Sequence, residues 1–330
     1  MALHPLFPQC GMPVGREYDH DMTPDHTLTA TDGIAFLKGH GTLNDFVILP
    51  DDHAELNLDE TLVRALCDRR GGIGADGILR IATAGALVDR GVLPALPDGV
   101  DPADWFMDYR NADGSIAEMC GNGVRVFAHA LVATHRADIG TIAIGTRSGP
   151  RPATIVSRSG DDAVVRVDMG EPRLLGLSSA ELGGRTFAGV AVDMGNPHLA
   201  CVVPGLDAAA LAALPVADPP TFDRDFFPHG VNVEIATPLT GGRVTMRVHE
   251  RGAGETMSCG TGIVATAVAA LADAGRGSGD VVVAVPGGEV EVHLADGGST
   301  LTGPSALVAS GRFHGGAYHT PAYATHAAPM

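Results

Sequence analysis

The chain has 330 residues and a formal net charge of −17 at pH 7. That length suggests about two domains and is ample for a core without disulfide or metal staples. The acidic balance points away from nucleic acid or an anionic membrane as partner. Its single lysine, Lys38, follows the apolar residues 34–37 rather than a phosphate-binding glycine loop; this excludes a P-loop and leaves a pyridoxal enzyme one candidate anchor.

Residues 1–32 are rich in Pro, His, Asp and Thr without periodicity. They read as a disordered extension or an upstream mistaken start, and they lack the basic and apolar regions of a secretory signal. No apolar run approaches the roughly 18 residues of a membrane span. The cysteines are Cys10, Cys67, Cys120, Cys201 and Cys259. An odd, widely spaced set with no C-x-x-C fits reduced thiols in a cytoplasm better than a disulfide framework or zinc knuckle.

From Gly33 onward short β-branched runs alternate with glycine turns. Residues 45–49, 163–167, 231–235 and 281–285 read as strands by composition and length. A helix is expected over 59–70, with Asp59 as its cap and Leu62, Ala65 and Leu66 on one face. Two more are expected over 123–135 and 262–274, apolar nearly all round and therefore buried. Many strands around one buried helix, twice over, is an α+β (α/β-type) picture rather than alternating βαβ.

An internal repeat sharpens this picture. Residues 119–128 read MCGNGVRVFA and residues 258–267 read SCGTGIVATA. Both place Cys-Gly-x-Gly at the opening of a buried helix, with Cys120 and Cys259 separated by 139 residues, a domain's length. Two similar domains follow, each with a cysteine at the start of its central helix.

A lone Cys-Gly-x-Gly would most often be a buried structural thiol. Two at matched positions have a chemistry open to them. Free helix N–H groups and the helix dipole favour an anion there, and alone they would bring a thiol to about pKa 7–8. A thiolate and a thiol facing each other across a cleft could remove a proton from one face of a carbon and return one to the other. A redox dithiol is the rival, although redox pairs usually lie close in sequence. Inverting an amino-acid α-carbon also needs donors for the charge developing on the carboxylate. The N–H groups of Gly121, Asn122, Gly260 and Thr261 could supply them. Further polar candidates are Asn44, Asn111, Asn196 with His198, Asn232, Glu250 and Arg251; each alone could equally serve a turn, and His198 could be a satisfied core histidine.

Two motifs are set aside. Residues 72–77 match G-x-G-x-x-G, but the match follows a helix and precedes a strand, the reverse of the dinucleotide context. No H-E-x-x-H occurs, so no metal is expected.

Residues 111–115 (NADGS) running into 119–123 (MCGNG), and 250–256 (ERGAGET) running into 258–262 (SCGTG), resemble the diaminopimelate epimerase family. Residues 44–46 (NDF), 194–198 (MGNPH) and 231–232 (VN) fall in the family's order too. The likeness spans about residues 34–312.

The resemblance implies a cofactor-independent isomerase that interconverts LL- and meso-diaminopimelate for lysine and peptidoglycan synthesis. It implies two pseudo-symmetric domains, each a curved, mostly antiparallel sheet around a central helix, with the site in the cleft between them. The domains expected are 33–168 plus 303–330, carrying Cys120, and 169–302, carrying Cys259. By position Cys120 and Cys259 are the acid–base pair. Asn44, Asn111, Gly121, Asn122, Asn196, Asn232, Glu250, Arg251, Gly260 and Thr261 are the substrate-binding set, with His198 at the site's edge. The partner expected is the small-molecule substrate, with no nucleic acid or membrane and with a homodimer left open.

Two departures stand out. Many members carry glutamine where this chain has Gly77, so a side-chain contact would be absent or replaced by water. Residues 38–44 read KGHGTLN where a Met-His-Gly-Leu-Gly version is common. With Lys38 inside that motif, its case as a pyridoxal anchor falls away.

Overall fold

The computed structural model describes residues 33–314; the extension read over 1–32 and Cys10 lie outside them. Among the described residues the helices are α1 (Glu60–Cys67), α2 (Ala84–Asp89), α3 (Gly121–Ala133), α4 (Ala208–Ala212) and α5 (Gly260–Asp273). The rest is mainly strand, in two halves with one buried helix each.

In the first half, strand Ile34–Gly41 pairs antiparallel with Asn44–Pro50. That strand runs parallel to Gly77–Thr83, and Trp105–Asn111 follows antiparallel. On its other side Ile34–Gly41 pairs with the long strand Gly298–Phe313, which continues to Asp162–Gly170 and Ala153–Ser159. In the second half Arg173–Leu182, Arg185–Asp193 and Pro197–Val202 form an antiparallel run. It extends through Asn232–Ala236, Arg243–Glu250, Gly279–Val285 and Gly288–Ala295. Gly288–Ala295 then pairs with the opening residues of Gly298–Phe313, so that one strand is shared by both halves.

The curved sheets enclose α3 and α5. Every residue of α3 is buried, as is most of α5. Phe127 and Leu131 of α3 and Ile263 and Leu271 of α5 belong to one continuous core with Phe46, Met107, Val244 and Val283. A helix apolar all round gains nothing from solvent, and a sheet curved about it buries its whole circumference.

The strands expected over 45–49, 163–167, 231–235 and 281–285 fall on strands Asn44–Pro50, Asp162–Gly170, Asn232–Ala236 and Gly279–Val285. The two buried helices begin two residues earlier than expected, because Cys120 and Cys259 themselves take the extended N-cap conformation. Helix α1 is capped by Asp59, whose side chain accepts from the Leu62 N–H. It ends at Cys67 rather than Arg70, because Asp68 turns extended and its carboxylate accepts the N–H groups of Arg70 and Gly71.

The G-x-G-x-x-G stretch does lie between α1 and the strand Gly77–Thr83. Its first glycine is there for packing: a Cβ on Gly72 would stand 2.0 Å from the Ala65 carbonyl oxygen. Helices α2 and α4 escaped the sequence reading; both are short, and at that length the 3.6-residue period is hard to see.

Candidate active site

A cavity of about 1090 Å³ opens between the halves and is lined by Cys120, Gly121, Cys259, Gly260 and Thr261. Asn44, Asn111, Asn196, Glu250 and Arg251 complete its expected lining. The starts of α3 and α5 meet here. A Cβ built on Gly260 would lie 2.9 Å from Gly121 Cα and 3.1 Å from the Asn122 nitrogen. Gly260 is therefore demanded by the approach of two backbones, not by a turn, whereas a Cβ on Gly121 would press on the Met169 side chain at 2.9 Å. The result points two helix N-termini, and their unpaired N–H groups, at one space.

Cys120 Sγ accepts the Gly123 N–H at 3.4 Å and lies 3.6 Å from Asn44 Oδ1, to which it donates. Cys259 Sγ lies 3.6 Å from Thr261 Oγ1, and the Glu250 carboxyl is near enough to act on it electrostatically. Glu250 accepts from the Thr256 hydroxyl. The lowered thiol pKa expected from the helix starts is not found. Burial pushes the Cys120 thiol up to about 11, even against the N–H groups of Gly123 and Asn122. Burial, then the carboxylates of Glu250 and Glu234, pushes Cys259 well above the ordinary thiol value. The dipole is worth at most about 2 kcal/mol, and lost hydration of the anion outweighs it. Both groups rest as thiols. Burial likewise raises the Glu250 carboxyl.

Asn44 follows a two-residue hairpin whose Thr42 and Leu43 both have positive φ, 50° and 60°. That is the geometry of a type I′ turn, here without glycine. Thr42 is held by donating to Ser258 Oγ at 2.7 Å and by accepting from Arg125 Nη2 at 3.1 Å. Asn44 Nδ2 donates to Asp76 Oδ2 at 2.8 Å. Asn111 is set by a tight loop, its Nδ2 donating to Ser115 Oγ at 3.0 Å. Arg251 projects from a backbone whose N–H donates to Asn232 Oδ1 at 2.8 Å, and its guanidinium donates to the His229 carbonyl.

Three expected residues stand behind the cavity rather than on its wall. Asn122 is fully buried, and its amide donates to Asn44 Oδ1, the Ser258 carbonyl and Ser258 Oγ at 3.0–3.2 Å. Its side chain is a clip between the halves; its backbone nitrogen remains at the helix start. Asn232 holds Arg251 from beneath. His198 is not at the site's edge but wholly buried. Its Nδ1 meets Glu234 Oε1 at 2.7 Å and its Nε2 meets Asn196 Oδ1 at 3.1 Å. An amide oxygen can only accept, so Nε2 carries hydrogen and fixes which way the Asn196 amide faces.

Other residues of the wall were missed by the sequence reading. Asp76, which receives the Asn44 amide, lies inside the very G-x-G-x-x-G stretch set aside as a cofactor loop. Tyr109 explains Gly77: a Cβ at that position would fall 2.7 Å from Tyr109 Cε2 and 2.5 Å from the Arg110 carbonyl oxygen. The aromatic ring occupies the space, and Tyr109 lines the cavity. Lys38 lines it too, but its ammonium is engaged by the Asp45 carboxylate and the Gly74 carbonyl.

A sequence model described as diaminopimelate epimerase matches residues 36–175 and 190–308. The chain is 59% identical over 278 residues to a diaminopimelate epimerase of Corynebacterium glutamicum, covering 84% of this chain and 97% of that one. It is 59% identical over 276 residues to one of Mycobacterium ulcerans, covering 84% and 95%. Among solved structures, a PhzF-family phenazine biosynthesis protein of Bacillus anthracis superposes with TM-score 0.61 at 13% identity, covering 85% of this chain and 98% of that one. A hydroxyproline epimerase of Agrobacterium vitis gives 0.57 at 15%, covering 85% and 92%. These two share the fold alone: two pseudo-symmetric α/β domains built on mixed sheets with few helices. With identity this high across nearly the whole of its curated relatives, the chain belongs to the diaminopimelate epimerase family.

Proposed function

We propose that this protein interconverts LL- and meso-2,6-diaminopimelate, in lysine and peptidoglycan biosynthesis, with its own side chains and no cofactor. The observation that carries the reading is the meeting of two cysteine-capped helix starts at one cavity. One sulfur, as thiolate, takes the α-proton and becomes a thiol. The opposite thiol gives its proton to the other face of the carbon and becomes the thiolate. Atoms and charge balance over the two transfers, and the centre is inverted.

The thiols rest protonated, so the base must be made when substrate arrives. The cationic α-ammonium near Glu250 offsets the carboxylate charge that holds Cys259 up. The N–H groups of Gly121, Asn122, Gly260 and Thr261 meet the charge that spreads onto the reacting carboxylate. Glu250 and Asn111 take the ammonium, Asn44 and Asn196 orient the polar end, and Arg251, steadied by Asn232, clamps the distal carboxylate. A monocarboxylic ring substrate would leave that distal clamp idle.

We assign residues 33–168 with 303–314 to the Cys120 half and 169–302 to the Cys259 half; the remainder of the expected 303–330 segment lies outside the described residues. The pairing of Gly298–Phe313 with Ile34–Gly41 supports this division. Among the described residues no helix is long and apolar enough to cross a membrane. We place the reaction in the cytoplasm, where two catalytic thiols stay reduced, and sedimentation decides between monomer and homodimer. The reading is tested by incubating the protein with LL-diaminopimelate and, separately, with L-proline, following optical rotation without added cofactor. Loss of rotation with the first and none with the second is expected; the reverse overturns the assignment.

A further inference from the structure

Directly behind the Cys259 thiol stand two polar groups that the proton transfers do not use. His198 and Glu234 come from neighbouring parallel strands, Pro197–Val202 and Asn232–Ala236, and both are wholly buried. One donor atom each from His198, Glu234 and Cys259 lies within 4.8 Å of the other two. Glu234 spends one oxygen on His198 Nδ1; its second, Oε2, is buried without any hydrogen-bond partner. The carboxylate is also pressed against the first turn of α5, where a Cβ on Gly262 would sit 2.5 Å from Oε1. An orphaned carboxylate oxygen beside a thiol and an imidazole is a group without its counterpart.

We propose that Cys259, His198 and Glu234 form a thiolate–imidazole–carboxylate site for a borderline-soft divalent cation such as Zn²⁺, whose occupancy takes Cys259 out of proton transfer. The donor chemistry is that of zinc. Zinc–ligand bonds of about 2.0–2.3 Å put tetrahedral donors roughly 3.3–3.8 Å apart, a separation that small side-chain rotations reach from the observed cluster. His198 binds through Nδ1, the nitrogen facing Glu234, while Nε2–H keeps its bond to Asn196 as outer-shell support. The thiol proton and the proton shared between His198 and Glu234 leave to bulk water. One thiolate and one carboxylate then balance the two positive charges, so the buried cluster is neutral overall, whereas the two anions alone would be strongly disfavoured there. Of the three ligands Cys259 lines the cavity, so the ion would reach the cluster from that side. Binding itself does not depend on the proposed epimerase activity; only the inhibitory consequence rests on that reading.

The test is calorimetric titration of the full-length protein with Zn²⁺, with Cd²⁺ as a second probe read by its ultraviolet thiolate charge-transfer band. One thiol-dependent equivalent is expected in the wild type. Glu234→Gln removes a direct ligand and weakens it by more than the roughly 10- to 100-fold that loss of an outer-shell partner costs, Cys259→Ser removes the Cd²⁺ band, and Cys120→Ala leaves both affinity and band in place. If Glu234→Gln does not fold, His198→Gln takes its place with the same expected loss. Absence of a thiol-dependent equivalent overturns the site. So does unchanged affinity in Glu234→Gln, as does loss of the band in Cys120→Ala, which would mean a metal bridging the two catalytic thiols. In the epimerisation assay, Zn²⁺ inhibition reversed by EDTA is expected; a zinc-loaded enzyme at full speed would refute the inhibitory role while the titration still judged the site.

Discussion

Gly121 and Gly260, from different halves of the chain, meet backbone to backbone: a Cβ added to Gly260 would come within 2.9 Å of Gly121 Cα. This contact sets the distance between the two cysteines that cap the helices, since each glycine directly follows its cysteine. Gly260→Ala must push the helix starts apart by a few tenths of an ångström or more. We expect kcat to fall about 100-fold, the scale of an ångström-sized misplacement, with stability lowered by about 1–3 kcal/mol. Steady-state kinetics and thermal melts of the variant measure both; an unaltered kcat would mean that the helix contact does not position the thiols.

Cys120→Ala and Cys259→Ala are each expected to abolish epimerisation while the protein still folds. The lost sulfur leaves only a small void, which costs about 1 kcal/mol. In deuterated water the wild-type product should gain solvent deuterium at the inverted centre. Full activity in either variant, or hydrogen retained from substrate at that centre, contradicts a two-base mechanism.

The raised thiols predict a pH profile. Burial holds Cys120 up at about 11, so the thiolate fraction of the free enzyme grows with pH throughout the neutral range. The ratio kcat/KM, which reports the free enzyme, should rise from pH 6 to 9. A profile already flat at pH 7 would mean a thiolate formed in the free enzyme.

Beside the cavity, burial raises the Asp45 carboxyl, but Arg69 and Lys38 outweigh it and hold the group at about 2. Arg69 reaches Asp45 through both terminal nitrogens, at 2.7 and 3.1 Å. A carboxyl depressed in the folded state stabilises it fully above the unfolded value, and that contribution disappears as pH falls through the folded one. Because Arg69 is largely exposed, we expect only about 1–2 kcal/mol at pH 7. Asp45→Asn should lose that amount at pH 7 and only about a few tenths of a kcal/mol near pH 2, as denaturant melts at the two pH values would show. Equal loss at both would point to packing rather than charge.

How much of this was legible in the chain depends on the range of the forces involved. The repeated Cys-Gly-x-Gly before an all-apolar helix settles where the cysteines stand, because an N-cap is fixed by dihedral angles and hydrogen bonds within a few residues. The same local physics fixes Asp59 as a cap and the strands around each central helix, and the spacing of the repeat announces two halves. The ionisation of the thiols is not local. The helix dipole belongs to the helix and is legible in the chain, whereas desolvation depends on what the other half packs over the sulfur. Nor could it foresee that Tyr109 would fill the space above Gly77, that Asn122 would clip the halves together, or that His198 would turn inward onto Glu234. Each of these is decided by contacts between segments tens to hundreds of residues apart. The sequence by itself determined which groups could do the chemistry; the tertiary structure, by excluding water and bringing α3 and α5 end to end, decided their protonation and their positions.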